Sequence, residues 1–188
     1  MQRIQKVSTY LIWVFNFLLI AYPLFIAAQW FLIDWEPFKS LVREGFIFTL
    51  IAAPEGIVNL ADVAFTPFTK MVWLAGDFIG FAPLFLGLLI LKKLFINYKS
   101  RIIFSLQNAE KYKYIGGLFL IDAFLTGPLS HMLAILAVTL SNPPGHRYIT
   151  LSFGTPNVEA IFCGILILCI SWIMAEGYKL QEEQSLTI

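Results

Sequence analysis

Asp122 makes the strongest chemical claim in this chain. Seven uncharged, mostly apolar residues precede it (115–121) and eight follow it (123–130). A carboxylate at membrane depth is costly, and where one persists it commonly serves a proton or ion pathway. The structural alternative is a pairing with Lys92 or Lys93, whose long stems can reach inward while their heads stay near the interface. Asp77 and His131 form a second candidate pair; alternatively, Asp77 caps a helix that begins at Phe78. Ser130 and His131 are adjacent, so on a helix their side chains diverge and cannot act as nucleophile and base. There is no P-loop, GxGxxG, HExxH or nucleophile elbow, and enzymatic activity is not expected. Cys163 and Cys169 lie six residues apart in one apolar run, on different helical faces, so they do not bridge. With two histidines and no cluster at ligand spacing, neither a metal nor any other cofactor is expected.

The elements that must position these residues are membrane spans. Of 188 residues, 59% are hydrophobic and 13% charged, against about 25% charged in a soluble domain. So few polar side chains cannot coat a water-soluble globule, and the apolar, aromatic content excludes disorder. A net charge of +1 argues against nucleic-acid binding. A bilayer core takes about 20 apolar residues per helix. Four stretches qualify, at about 9–33, 72–96, 115–140 and 158–175. The first begins with Arg3 and Lys6 like a secretory signal. It is nevertheless longer than a signal core and ends at Gln29-Trp30, so it reads as a retained anchor.

Basic residues set the orientation. Nine of them (Arg3, Lys6, Lys92, Lys93, Lys99, Arg101, Lys111, Lys113 and Lys179) fall on one side, and four (Lys39, Arg43, Lys70 and Arg147) on the other. The expectation is one membrane domain over 1–188 with both termini, the loop 97–114 and the tail 176–188 in the cytoplasm. Loops 34–71 and 141–157 are then external. The runs Phe46–Ile51 and Tyr148–Phe153 carry strand-like composition, and the turn Asn142-Pro143-Pro144-Gly145 precedes the second. The predicted fold is therefore an all-α four-helix transmembrane bundle with a small two-stranded β cap on the external side. Pro54, Ile57 and Val58 are candidates for the surface beneath that cap.

Two local patterns refine this architecture. Ser105 is a candidate N-cap, from which one helix runs into the third span. The basic, aromatic stretch around it, with Lys111, Tyr112, Lys113 and Tyr114, reads as positive-inside anchoring, with anionic-lipid or partner binding as the functional alternative. Gly76, Gly80, Pro83 and Gly87 are spaced by 4, 3 and 4 and share one helical face. Small residues let helix backbones approach in lipid, so this face predicts a packing seam, within the bundle or by self-association of two copies.

The carboxy-terminal third resembles the bacterial membrane family catalogued as domain of unknown function 2975. The resemblance rests on the 142–145 turn before an external strand and on the ending WIMAEGYKLQEEQSLTI. Ala175, Glu176, Gly177, Lys179, Leu180, Glu182, Glu183, Leu186, Thr187 and Ile188 occupy that family's recurrent terminal pattern. Tyr98, Phe104, Ser105 and Asn108 match its inner Y…F-[ST]-x-x-N. The match covers roughly 76–188; the first 70 residues agree only in layout, and Asp122 departs from an otherwise apolar third span. The resemblance implies a bacterial inner-membrane protein of unknown activity. Such proteins are often encoded beside a small helix-turn-helix regulator, which would be a partner.

Two functions compete. In the first, the chain is a non-enzymatic membrane scaffold or regulatory component working through the tail. Glu182 and Glu183 make the tail acidic, Lys179 meets Glu183 at i+4, and Leu186, Thr187 and Ile188 form an apolar tip. In the second, it is a small oligomeric transporter or ion-coupled permease using Asp122.

Overall fold

The computed structural model describes residues 2–46, 51–53, 56–144, 147 and 157–186. The runs long and apolar enough to cross a membrane all form helices: α1 (Gln2–Leu32), α3 (Pro67–Lys99), the third span from Leu106 to Ser141, and α6 (Val158–Leu186). Each is longer than the apolar run that announced it, because helical backbone continues into the polar flanks. The third span is α4 (Leu106–Ile121), a π-helical segment (Asp122–Thr126) and α5 (Gly127–Ser141) in unbroken succession. The chain divides into two compact units.

The first unit comprises Met1–Ala21, Phe81–Thr126 and Thr155–Ile188. Its central contact is an antiparallel pairing of α4 and α6 along small residues. A Cβ on Gly116 would lie 2.9 Å from the Gly164 carbonyl oxygen, and one on Gly164 would lie 3.0 Å from that of Gly116. Such backbone approach replaces the hydrophobic driving force that helices lack in lipid. Further along the same seam, the buried Ser171 hydroxyl donates to the Ala109 carbonyl at 2.7 Å. Phe15 of α1 packs on Phe95 of α3 with centroids 5.6 Å apart.

The second unit comprises Tyr22–Gly80 and Gly127–Gly154. Its core unites Trp30, Ile33, Trp73, Ala134, Ile135, Ala137 and Val138 with Phe38, Val42, Leu60 and Ala61. The last four come from residues expected to be loop. A short helix, α2 (Glu36–Arg43), begins with Pro37 in its first turn, where a missing N–H costs nothing, and buries Phe38 and Val42 one turn apart. Asn59 holds the following turn, accepting from the Ala61 amide at 3.0 Å and donating to the Arg43 carbonyl at 3.3 Å. The start of α3 is closed by a reciprocal pair. Thr66 N–H donates to Thr69 Oγ1 at 2.9 Å, and Thr69 N–H to Thr66 Oγ1 at 3.2 Å. Ser141, at the end of α5, donates to the same Thr69 hydroxyl at 2.9 Å.

Several expectations need correction. The β cap is not supported. Residues 47–50 and 148–153, which would have formed most of it, lie outside the described residues. The described strands instead form a local antiparallel hairpin, β1 (Ile51–Ala53) with β2 (Gly56–Val58), in which Ile51 faces Val58. Val58 packs against the core of this second unit. The segment 34–71 is not a plain loop, because α2 and the first turn of α3 occupy part of it. Between the second and third spans only 100–105 is non-helical, since α3 runs to Lys99 and α4 starts at Leu106, directly after Ser105, as expected of a helix running from that cap into the third span.

Candidate functional site

The inner connection is tightly built. α3 ends with the Ile102 amide donating to the Asn97 carbonyl at 2.9 Å and the Arg101 amide to the Tyr98 carbonyl at 3.0 Å. This is the Schellman pattern, which places its C′ residue in the left-handed region. Arg101 occupies that position with φ 67°, where glycine is the usual occupant. Ser105 then caps α4, its hydroxyl accepting from the Asn108 amide at 3.1 Å, as its sequence context predicted. Asn108 is fully buried. Its Nδ2 donates to the carbonyls of Ile102 and Ile103, both at 2.9 Å, and its Oδ1 accepts from Asn97 Nδ2 at 2.7 Å. The Tyr98 and Tyr112 hydroxyls pair at 2.7 Å. One asparagine thus satisfies two turn carbonyls and ties α3 to α4.

The tail meets this turn. Gly177 of α6 faces the Phe104 ring, since a Cβ there would lie 3.7 Å from Phe104 Cδ1. The two segments that carried the resemblance, Tyr98–Asn108 and Glu176–Lys179, therefore belong to one local structure. From there α6 continues as helix to Leu186, with Glu176, Lys179, Leu180, Glu182 and Glu183 exposed. Lys179 Nζ bonds Glu176 Oε1 at 2.8 Å. Glu176 thus binds Lys179 from one turn back, and Glu183, expected at i+4, adds its attraction to Lys179. Thr187 and Ile188 lie outside the described residues.

The intramembrane carboxylates have local partners. Asp122 is half-buried at the first position of the π segment, and its Oδ1 accepts from Thr126 Oγ1 at 3.1 Å. Among the described residues no ion pair joins it to Lys92 or Lys93. Asp77 lies well inside α3 and does not cap a helix starting at Phe78. Its Oδ2 accepts from Trp30 Nε1 at 3.0 Å and its Oδ1 from Trp73 Nε1 at 3.1 Å. Phe65 stands edge-on to both indoles, with centroids 5.8 Å from each. Among the described residues His131 is not bonded to Asp77. The tryptophans were missed as partners, although Trp73 stands at i−4 from Asp77, a spacing that favours contact on a helix.

The glycine face of α3 divides. A Cβ on Gly76 would come within 3.0 Å of Leu133 Cβ and 3.1 Å of the Ser130 carbonyl, and one on Gly80 within 2.9 Å of Ser130 Oγ. Pro83 is buried inside α3, whereas Gly87 has no neighbour within 4 Å of where its Cβ would be. Sequence reasoning did not identify the Gly116–Gly164 approach, because its two glycines lie on different helices and form no spaced motif. Cys163 and Cys169 are free and exposed. Among the described residues no group of three His, Cys, Asp or Glu side chains is placed to hold a metal ion.

The comparisons with known proteins agree with this picture. The family model described as "Protein of unknown function (DUF2975)" matches residues 5–188. The chain therefore belongs to that family over nearly its whole length, including the first span, where the sequence resemblance had been one of layout only. No curated protein and no solved structure matches it. The family and the four apolar helices together define a multi-pass membrane protein whose activity the family description does not name.

Proposed function

We propose that this protein is a non-enzymatic scaffold or regulatory component of the bacterial inner membrane, working through the emergent end of α6. The observation that carries this reading is the continuation of α6 past its apolar run as a charged helix to Leu186, with Glu176, Lys179, Glu182 and Glu183 exposed. Nothing about crossing a bilayer requires that extension. The basic residues, nine against four, favour an orientation with both termini in the cytoplasm. Exposed ion pairs such as Lys179–Glu176 hold weakly in water, so a partner can exchange them at little cost. The resemblance suggests a small helix-turn-helix regulator as that partner.

Deletion of Gln184–Ile188 tests the proposal. Membrane insertion and helix content are expected to persist while partner capture or the cellular phenotype is lost. A truncated protein with full cellular activity rejects it.

One observation favours a second reading, an oligomeric ion-coupled permease. The π segment begins at Asp122, and π-bulges occur frequently at functional sites. Proteoliposome flux that disappears in Asp122→Asn supports the permease; absence of coupled flux in both proteins rejects it.

A further inference from the structure

The turn between α3 and α4 is flanked by Lys93 on one helix and Lys111 on the other. Asn97 of α3 donates to Gln107 Oε1 of α4 at 3.1 Å. The two helices run in opposite directions from the connecting turn. Lys93 lies one turn back from Asn97 and Lys111 one turn on from Gln107, so each shares a helical face with a residue of that bond. Lys93 repels Lys111, and Glu110, adjacent to Lys111 in sequence, attracts it. Among the described residues neither lysine makes an ion pair; Lys111 Nζ donates to the Gln107 carbonyl at 3.3 Å. Between 92 and 113 the chain carries six basic residues and one acid. Arg101 adds an exposed guanidinium at a left-handed position where glycine would be less strained. Beside these cations, Ile102, Phe104 and Leu106 alternate as exposed apolar residues on the turn held by Asn108.

We infer that Lys93 and Lys111 together bind the phosphate of an anionic phospholipid, with the apolar turn residues lying against the bilayer. The occupant is a lipid, not a soluble anion, because the lysines belong to two span helices and large exposed apolar side chains adjoin them. Basic residues that outnumber the one neighbouring acid, Glu110, recruit external negative charge, and the cytoplasmic leaflet supplies anionic headgroups. This goes beyond general positive-inside attraction in naming two residues and one bound headgroup.

The test is lipid retention by the full-length protein, purified from vesicles of phosphatidylcholine mixed with phosphatidylglycerol and measured by native mass spectrometry. Wild type is expected to retain phosphatidylglycerol preferentially. The double variant Lys93→Gln/Lys111→Gln should lose roughly thirtyfold of that preference, the scale two surface cations provide. Lys93→Arg/Lys111→Arg should keep it. Lys99→Gln should lose no more than about fivefold, the scale of one surface cation. Equal retention of the two lipids by wild type overturns the inference, and that comparison needs no variant to fold. A loss in Lys99→Gln as large as in the double glutamine variant also overturns it, because attraction would then be diffuse.

Discussion

At the scale of single residues, placement is decided by which polar groups find partners away from water. Asp77 accepts two indole N–H groups, so Asp77→Leu deprives both tryptophans of that acceptor. Loss of a buried hydrogen-bond partner costs about 1–3 kcal/mol. Asp77→Leu is therefore expected to destabilise the detergent-solubilised protein by about 2 kcal/mol or more, with a change in tryptophan fluorescence that Asp122→Leu does not reproduce. Arg101 gives the opposite case. A non-glycine residue in the left-handed region costs roughly 1 kcal/mol or more, so Arg101→Gly should raise thermal stability slightly, and a fall would mean that the guanidinium holds the turn. The cap at Ser105 was legible because its hydroxyl acts on an amide three residues away. The Asp77–Trp30 bond spans 47 positions, and local spacing does not encode it. Likewise, Lys179 has acids at both i−3 and i+4, and sequence alone does not decide which geometry closes.

At the scale of elements, the four spans were legible because a bilayer demands long apolar runs, a signal that survives uncertainty at individual positions. Their ends were not, since helical hydrogen bonding continues into the polar flanks until a turn such as 100–105 stops it. The eight residues of α2 were hidden because two buried positions, Phe38 and Val42, make too short a pattern to distinguish from loop. The π segment at Asp122–Thr126 leaves no trace in apolar periodicity. The helix seams yield a paired prediction. At Gly116 an added Cβ meets the Gly164 backbone at 2.9 Å, while at Gly117 it meets nothing within 4 Å. Gly116→Ala should cost about 1–3 kcal/mol through forced separation of α4 and α6. Gly117→Ala should be neutral or stabilising by up to about 1 kcal/mol, from helix propensity. Thermal unfolding of the two variants in one detergent checks both, and equal effects would mean that the seam is misplaced.

At the scale of the whole molecule, membership of the family covers residues 5–188, and four helices are long and apolar enough to cross a membrane. The functional account depends on the side to which α6 delivers Glu176–Leu186, because a cytoplasmic partner cannot engage an external tail. The proposed orientation rests on basic residues, whose imbalance of nine to four was visible in the sequence. The most direct measurement is labelling of single introduced cysteines by a membrane-impermeant maleimide on intact cells, in a Cys163→Ala/Cys169→Ala background. Lys39→Cys should label in intact cells, and Glu183→Cys should label only after lysis. Labelling of Glu183→Cys in intact cells, with Lys39→Cys protected, would contradict the account.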